Sequence, residues 1–549
     1  MSDKTNSLVH IVFFGGAVWG HARPALQYSI RLCLQSPNLV ISLLYPENLF
    51  TRATTVIDLM VAEETSDAEL AKDVKARINL VGLTPPADFE CPAEIATGPV
   101  RPCKESSVAF VAYWEKIHNE PQELPRPSML IVDLFTDYER EHIKSLNDVP
   151  IFFWCSCNLN YFVYHFGPEG SGGLGPHFLK TLETISDIKE LERTQEELWA
   201  STSDELARTG DVRPTHQYEH ICSGIQPLPG MGFLMRIANS SALQKVDGHI
   251  ICSGSWLEPE AYKIVRSYFD DTLKKPTYTA NLCISAGATD VVYSPERAAA
   301  LSPPEKEILT FLDDALDKHG AESVLYLSWG TNFSPFAEPW QADVFIEVML
   351  ENKRPFVMSQ ATVMAIMNPG LEERLEKARQ AGLCATAAWV PQEAVLKHKA
   401  LGAFVTHGGW NSACEGIGAA TPMIFWPFAI DQPFIASFLS EGSDPKGWQL
   451  YETRGPTVAR LTPYFFKDGP RKSGFGEVIP VPTGTPEALR AEFERVLIRE
   501  AAAGSPELKK RKEQMIALRQ RFIDSTRPDN ESQRAIKDLL TPLGCTMRA

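Results

Sequence analysis

The sequence has no apolar run long enough for a membrane span, which needs about 18 consecutive apolar residues. The apolar segment near the N-terminus, Ile11 to Phe14, is also too short for the core of a secretory signal. Positive charge is scarce, because 53 Lys and Arg accompany 69 Asp and Glu and give a formal net charge of −16. This balance argues against nucleic acid or an anionic membrane as the main partner. We therefore expect a cytoplasmic protein that does not span a membrane.

Metal and disulfide motifs are missing as well. The 11 cysteines are scattered, and the one close pair, Cys155 and Cys157, has a single intervening residue, which suits neither a zinc knuckle nor a redox CxxC motif. Reduced thiols are typical of cytosolic proteins. The chain also contains no Asp-x-Asp motif. The sequence therefore gives no reason to expect a divalent metal or another cofactor.

Short β-branched and aromatic runs alternate with helical stretches throughout the chain. At 549 residues, 44% of them hydrophobic, the chain is long enough for two large cores. The strand candidates show no clean alternation of polar and apolar residues, which favours parallel sheets covered on both faces. The sequence therefore predicts an α/β protein of two doubly wound domains. The predicted strands are His10–Phe14, Leu39–Tyr45, Ile78–Gly82, Met129–Asp133, Ile151–Trp154 and His249–Cys252 in the first half, and Val324–Ser328, Pro355–Met358, Ala385–Trp389, Ala403–Thr406 and Pro422–Phe425 in the second.

Domain boundaries are predicted from changes in the sequence pattern. A helix is expected after Ser302, with Pro303 and Pro304 in its first turn and Gly320 after its end. The stretch before it shows no sustained period, and a later stretch rich in Gly, Pro and aromatic residues is longer than most loops. The predicted parts are a first domain (1–275), a linker (276–305), a second domain (306–504) with an irregular insertion (about 440–482), and terminal helices (505–549) that pack back on the first domain.

One loop concentrates hydrogen-bonding groups beyond a strand end. Residues 404–416 read FVTHGGWNSACEG, so an apolar strand leads into His, two Gly, Trp, Asn and Ser just before a helix. Ligands of doubly wound sheets bind at the carboxyl ends of the strands. The unpaired N–H groups of a helix N-terminus, together with the helix dipole, favour an anion there. The pattern therefore predicts a site for an anionic ligand such as a phosphate.

Two other interpretations of this loop are weighed against an anion site. Ser412-x-x-Glu415 is also a capping box, with Ser412 as the N-cap residue of the helix. The HGG segment before a helix is similar to the oxyanion motif of some lipases, but these need a Gly-x-Ser-x-Gly elbow, and the sequence has none. The esterase interpretation is therefore disfavoured, whereas the capping box stays open.

The surroundings of the loop carry a family resemblance. From Trp389 to Gln432 the chain reads WVPQEAVLKHKALGAFVTHGGWNSACEGIGAATPMIFWPFAIDQ. This stretch resembles, without a gap, the signature box of the UDP-dependent glycosyltransferases with the GT-B fold; Gly408 stands where the plant box usually has cysteine. A second segment, LYLSWGTNFS at 325–334, is similar to the family's strand and Gly-Ser/Thr turn. The resemblance implies two Rossmann-like domains that face a cleft.

The resemblance also implies a role for the residues of the box. Trp389 would stack on uracil, Gln392 would bond the nucleoside, and Glu415 would accept both ribose hydroxyls. One carboxylate with two oxygens suits such a vicinal diol. Asp431 and Gln432 would hold the sugar hydroxyls. The other donor-site residues implied by the resemblance are Thr331, Val390, His407, Trp410, Asn411 and Ser412.

The first domain is predicted to carry a catalytic pair. Residues 15–26 read GGAVWGHARPAL, and their glycines do not have the spacing of the dinucleotide-binding motif. His21 lies where this loop meets a helix, and its GHxxP segment resembles the one that bears the family's catalytic base. Asp133 at a later strand end is its predicted partner, with Asp137 the weaker candidate. A carboxylate behind an imidazole fixes the tautomer and stabilises the imidazolium.

The predicted function is that of an inverting UDP-sugar glycosyltransferase that makes β-glycosides of small lipophilic acceptors such as phenols, flavonoids and terpenoids. UDP-glucose is the favoured donor, no metal is expected, and the protein is expected to be a monomer. The aromatic residues between Phe152 and Phe166 would suit an acceptor pocket, although half or more are expected in the core. One alternative is a sterol or lipid glucosyltransferase, although no membrane-docking segment is found. The other is a catalytically silent UDP-sugar-binding protein, which would not need both His21 and Asp133.

Overall fold

The structure, a computed structural model, describes residues 8–92, 100–201, 203, 205–222, 230–285, 301–335, 337–360, 370–457, 472, 476, 478 and 481–548. Residues 286–300 of the predicted linker and most of 458–480 of the predicted insertion lie outside these ranges. Among the described residues, no helix combines the length and the apolar character that crossing a membrane requires.

The first half of the chain folds around a parallel sheet. Its strands are β1 (Val9–Phe14), β2 (Leu39–Pro46), β3 (Ile78–Leu83), β4 (Met129–Asp133), β5 (Ile151–Cys155), β8 (Gly248–Ile251) and β9 (Thr277–Thr279), while β6 (Leu206–Ala207) and β7 (Thr215–His216) form a separate small ladder. The strand order is β3-β2-β1-β4-β5-β8-β9. The chain therefore changes direction across the sheet between β1 and β4. A crevice for ligands opens at this switch point, beyond the strand ends.

The second half repeats this arrangement. Its strands are β10 (Val324–Ser328), β11 (Phe356–Ser359), β12 (Cys384–Ala387), β13 (Leu401–Thr406), β14 (Met423–Phe425) and β15 (Gly447–Gln449), in the order β12-β11-β10-β13-β14-β15. All neighbouring strands of this sheet run parallel. The switch point lies between β10 and β13, where Ser328 pairs with Thr406. The prediction of two doubly wound domains is confirmed.

Helices connect the strands of both sheets. In the first half they are α1 (Trp19–Gln35), α2 (Glu47–Glu64), α3 (Ala68–Ala76), α4 (Val100–Asn119), α5 (Arg140–Leu146), α6 (Leu159–Phe166), α7 (Gly175–Thr184), α8 (Ile188–Trp199), α9 (Met231–Ser240) and α10 (Pro259–Val265). In the second half they are α11 (Pro303–His319), α12 (Trp340–Glu351), α13 (Leu371–Gln380), α14 (Gln392–Lys397), α15 (Trp410–Gly418), α16 (Gln432–Ser440), α17 (Pro486–Phe493), α18 (Pro506–Ser525) and α19 (Glu531–Leu540). The helix predicted after Ser302 is α11, and a Glu305 carboxylate oxygen accepts from the Ser302 N–H at 2.8 Å.

The strand β1 shows why these apolar runs become central strands. All six of its residues are buried. Ile11 and Phe13 belong to the apolar cluster that contains α1 residues, whereas Val12 and Phe14 belong to the cluster on the opposite face. Each fully buried side chain of this size contributes about 1.5–3 kcal/mol of stability. A polar residue without hydrogen-bond partners would therefore be costly in β1, and the one polar residue there, His10, lies 2.8 Å from the Pro125 carbonyl and 2.9 Å from Oγ of Ser42.

Two strands lie where the sequence predicted a linker and an irregular insertion. The strand β9 pairs with β8, so the first sheet extends to residue 279, beyond the predicted domain end at 275. The strand β15 pairs with β14 at the edge of the second sheet. Each has three residues, which is too short to show a period in the sequence. Each of these strands forms because it can hydrogen-bond to the backbone groups along the edge of the neighbouring strand.

The end of the chain contacts the first half. The Ser255 N–H donates to Glu531 of α19 at 2.5 Å, and Asn281 donates to Ser525 of α18 at 2.8 Å. Further along, the Arg548 N–H donates to the Gln35 carbonyl at 2.7 Å. These contacts tie the two halves together next to the point where the chain crosses between them.

Candidate active site

The predicted catalytic residues lie at the switch point of the first sheet. His21 is in the first turn of α1, directly after β1, and Asp133 is the last residue of the neighbouring β4. Gly16, in the loop between β1 and α1, has a φ of +96° that favours glycine. A Cβ atom at Gly16 would lie 2.7 Å from Cγ of Asp133. The loop therefore needs glycine both for its backbone and for the space of the carboxylate.

His21 and Asp133 form a hydrogen-bonded pair. Nδ1 of His21 lies 2.8 Å from Oδ2 of Asp133, and Oδ1 of Asp133 accepts from the Phe135 N–H at 3.1 Å. The His21 side chain is 20% exposed, whereas the Asp133 side chain is 2% exposed. Burial lowers the pKa of His21, but the Asp133 charge and hydrogen bond, with a contribution from Asp431, raise it above 6.5 overall. With Nδ1 facing the carboxylate, Nε2 is the ring nitrogen left to take a proton.

The second-domain loop joins β13 to α15 at the switch point of the second sheet. The helix begins at Trp410, with Gly409 as its N-cap, so Ser412 lies inside the first turn. The capping-box interpretation of Ser412 and Glu415 is therefore wrong. The helix begins before Ser412, so the Ser412 side chain does not precede the first turn and is not at the N-cap position. The loop instead presents backbone N–H groups at the start of a helix, a favourable place for an anion.

His407 packs closely under this loop. A Cβ atom at Gly330 or at Gly409 would lie 2.7 Å or 2.4 Å from its imidazole, so both glycines allow the ring to approach the backbone. Burial lowers the pKa of His407 to about 4, and the ring is therefore neutral at pH 7. Its Nδ1 has no hydrogen-bond partner within the described part of the chain. A neutral imidazole at this position offers one hydrogen bond rather than a positive charge.

Asp431 connects the two halves of the site. The Trp410 N–H at the start of α15 favours the charged form of its carboxylate. The same carboxylate interacts with the charge of His21 in the first domain. Burial raises the pKa of Asp431 to about 7, although these partners act in the opposite direction. The carboxyl group is therefore within electrostatic reach of both His21 and the start of α15.

The residues predicted to bind uridine lie together. Gln392 donates to Oε2 of Glu415, and its own oxygen accepts from the Tyr326 hydroxyl at 2.9 Å. Burial raises the pKa of Glu415, partly offset by the nearby Arg23. The Trp389 indole is 45% exposed, which is unusual for so large an apolar side chain. An exposed indole beside a carboxylate and an amide is a suitable arrangement for a base and a ribose.

Arginines of the first domain contact this uridine cluster, and sequence reasoning missed them. Arg23 donates to Oε1 of Glu415 at 2.9 Å and to Oε1 of Glu393 at 2.5 Å. The guanidinium carbon of Arg52 lies 4.0 Å from the centroid of the Trp389 ring. No local pattern marks these arginines, because their partners lie in the other half of the chain.

The remaining predicted donor residues have varied surroundings. Asn411 donates to the Gly20 carbonyl beside the catalytic loop, and Trp410 donates through its indole to the Cys252 carbonyl. Gln432 is buried, and its oxygen accepts from the Phe428 N–H at 2.9 Å, so it holds the preceding loop. The other predicted residues follow strands or begin helices of the second domain, namely Thr331 (exposed), Val390 (buried) and Ser412 (partly buried).

Most of the aromatic residues proposed as an acceptor wall belong to the core. Tyr161 is partly buried, whereas the other six are buried, namely Phe152, Phe153, Trp154, Phe162, Tyr164 and Phe166. Tyr161 and Tyr164 pack against Phe434 of α16, with ring centroids 5.9 Å and 5.0 Å apart. This stretch therefore contributes chiefly to the core and to the contact between the domains.

The site combines a histidine–aspartate pair in one domain with an exposed indole, a carboxylate and a helix N-terminus in the other. The two parallel sheets that carry them define the GT-B class of fold. The sequence model described as "UDP-glucoronosyl and UDP-glucosyl transferase" matches residues 308–442. This part of the chain is therefore similar to the family of UDP-dependent glycosyltransferases, in agreement with the resemblance seen in the sequence.

Individual relatives agree with this assignment. Anthocyanidin 3-O-glucosyltransferase 2 of Fragaria ananassa is 26% identical over 433 residues, which are 77% of this chain and 81% of the relative. UDP-glycosyltransferase eriJ of Hericium erinaceus is 23% identical over 457 residues, 81% of this chain and 84% of the relative. The solved structure of Medicago truncatula UGT71G1 complexed with UDP-glucose has a TM-score of 0.66 at 16% identity and covers 99% of this chain and 100% of its own. This last likeness confirms the fold.

Proposed function

We propose that this protein is an inverting glycosyltransferase that transfers a sugar, with UDP-glucose as the favoured donor, to a hydroxyl group of a small lipophilic acceptor. The observation that carries the proposal is the hydrogen bond from Asn411 of the donor loop to the Gly20 carbonyl, next to His21. The catalytic pair of one domain thereby faces the donor loop of the other.

In the proposed reaction, Nε2 of His21 removes the proton of the acceptor hydroxyl. The acceptor oxygen forms a bond to the anomeric carbon of the UDP-α-sugar, and the bond from that carbon to the diphosphate oxygen breaks. One displacement inverts the configuration and gives a β-glycoside and UDP. The Asp133 carboxylate, 2.8 Å from Nδ1, holds the tautomer and stabilises the imidazolium that forms.

Negative charge grows on the diphosphate as the bond to the sugar breaks. The backbone N–H groups at the start of α15 are fixed by the helix and need little reorganisation to stabilise that charge. Since the pKa of His407 is about 4, His407 contributes a hydrogen bond from a neutral ring. In the proposal, Ser412 and Thr331 add hydroxyl donors. We propose that these groups suffice without a divalent metal.

The proposal also covers the class of acceptor, the oligomeric state and the compartment of the protein. The acceptor class, a phenol, flavonoid or terpenoid alcohol, is supported by the relative that acts on anthocyanidin. We also propose that the protein works as a monomer in the cytoplasm, which its eleven free cysteines support. A silent UDP-sugar-binding protein is the alternative, but it would not need the buried Asp133 behind His21.

The testing experiment measures UDP release from several UDP-sugars with mixed phenolic and terpenoid acceptors in EDTA. Wild type is compared with His21→Ala, which removes the base but leaves the donor loop intact. Acceptor-dependent release that falls about 10²–10⁴-fold in the variant supports a metal-independent transferase. UDP binding without turnover in any mixture would favour the binding protein. Absence of UDP binding would overturn the donor-site assignment.

A further inference from the structure

Arg23 is hydrogen-bonded to Glu415, the carboxylate that is proposed to bind ribose. Its guanidinium donates to Oε1 of Glu415 at 2.9 Å and to Oε1 of Glu393 at 2.5 Å, and its side chain is 15% exposed. The second oxygen of Glu415 accepts from Gln392. Both carboxylate oxygens therefore have donors from the protein itself. A ribose diol that binds both oxygens has to replace Arg23.

Arg52 stacks on Trp389, the indole that is proposed to bind uracil. Its guanidinium carbon lies 4.0 Å from the ring centroid of Trp389 and 4.1 Å from that of Trp19, so the cation contacts one indole of each domain. Glu415 also interacts with the Arg52 charge. Arg52 therefore stacks on the indole while it remains within electrostatic reach of the ribose carboxylate. A uridine that contacts both Trp389 and Glu415 needs the same space.

We propose that Arg23 and Arg52 compete with the nucleotide for the donor site and thereby set the affinity for the UDP-sugar. The inference rests on the proposed function, because it takes Glu415 and Trp389 as the uridine-binding residues. Uridine binds only to the fraction of molecules in which both arginines have left these positions. The apparent dissociation constant is larger than the intrinsic one by the inverse of that fraction.

The test uses uridine, which has the base and ribose but no phosphate, and measures binding by isothermal titration calorimetry. Arg23→Met and Arg52→Met keep an unbranched side chain of similar length and remove the charge. Each variant is expected to bind uridine about three- to tenfold more tightly than wild type. Salt screens the Arg23 ion pairs, so wild type should gain affinity for uridine as salt rises, and Arg23→Met should gain less.

A matched control is Arg213→Met. Arg213 also joins the domains, with Nε 2.9 Å from Oε2 of Glu441, but through residues outside the donor site. Its uridine affinity should equal that of wild type. An equal gain in this control would show that loosening the domains is enough, and would overturn the competition.

Three further outcomes separate this inference from the proposed function. If wild type binds UDP but Arg23→Met and Arg52→Met bind uridine no more tightly, the competition is overturned and the donor site stands. Weaker UDP binding by the variants at unchanged uridine affinity would assign the arginines to the diphosphate and would also overturn it. If wild type binds neither UDP nor uridine, the proposed function fails, and the competition fails with it.

Discussion

Nδ1 of His21 lies 2.8 Å from Oδ2 of Asp133, and this distance joins the start of α1 to the end of β4. The pair forms because the two residues follow adjacent parallel strands at the switch point of the first sheet. The carboxylate is buried and accepts a second hydrogen bond from the Phe135 N–H, while the ring is more exposed and keeps Nε2 for a proton. The geometry is that of a general base held by an acid.

Replacing Asp133 by Asn should change the pH profile as well as the rate. The pKa of His21 is raised above 6.5, so the fraction of neutral base falls as pH falls through that raised value. Without the Asp133 charge, burial lowers the pKa of His21, and the acidic limb of kcat/KM should move to lower pH. We also expect kcat to fall about 10²–10⁴-fold because the tautomer is no longer fixed. A profile measured from pH 5 to 9 checks this, and an unmoved limb would contradict the pairing.

Gly16→Ala should reduce turnover without weakening UDP binding. The added Cβ would lie 2.7 Å from Cγ of Asp133 and would displace the carboxylate from His21. We expect a loss of kcat of about 10²-fold or more. Gly320→Ala is the matched control, because Gly320 has a φ of +85° but open space around its Cβ position. Equal losses in both variants would show that backbone strain, rather than the position of Asp133, is responsible.

The fold could be predicted from local signals, and the pairing of His21 with Asp133 from a family resemblance of the segments that carry them. Apolar runs without alternation mark buried parallel strands; Asp133 ends one of them, and His21 lies in the first turn of the helix after another. The pairs formed by Arg23 could not be predicted in the same way. Its partner Glu415 lies 392 positions away in the chain, and the contact joins the two domains. Side chains that meet in this way leave no periodic or motif signal.

The capping-box interpretation shows a different limit of the sequence. Ser412-x-x-Glu415 fits the local rule, but the helix begins at Trp410. The first helical residue makes a tertiary contact, because the Trp410 indole donates to the Cys252 carbonyl in the other half of the chain. The local pattern alone places this helix end a turn too late.

Glu415→Ala should remove discrimination at the ribose. The wild-type carboxylate is proposed to accept from both ribose hydroxyls, so a 2′-deoxy donor should be a poorer substrate than the UDP-sugar by about tenfold. In the variant, the two donors should have similar KM values, both higher than the wild-type KM for UDP-sugar. Initial rates with the two donors check this prediction. Unchanged discrimination in the variant would place the ribose elsewhere.

Asp431→Asn should change how stability depends on pH. The pKa of Asp431 is raised from 3.8 to about 7 in the folded state, so between these values the folded protein holds a proton that the unfolded chain releases. This group therefore lowers the free energy of unfolding as pH rises through that window. The Tm of Asp431→Asn relative to wild type should be higher at pH 8 than at pH 5. A constant difference in thermal melts across this range would contradict the raised pKa.

The most direct test of the central claim is the anomeric configuration of the product. Transfer from UDP-α-glucose to an acceptor that supports turnover is followed by NMR, and the coupling of the anomeric proton is measured. A single displacement with His21 as base predicts a β-glucoside, whose anomeric and neighbouring ring protons are both axial and therefore show a large coupling. An α-glucoside with a small coupling would contradict the account, because it requires retention of the anomeric configuration and therefore excludes a single displacement.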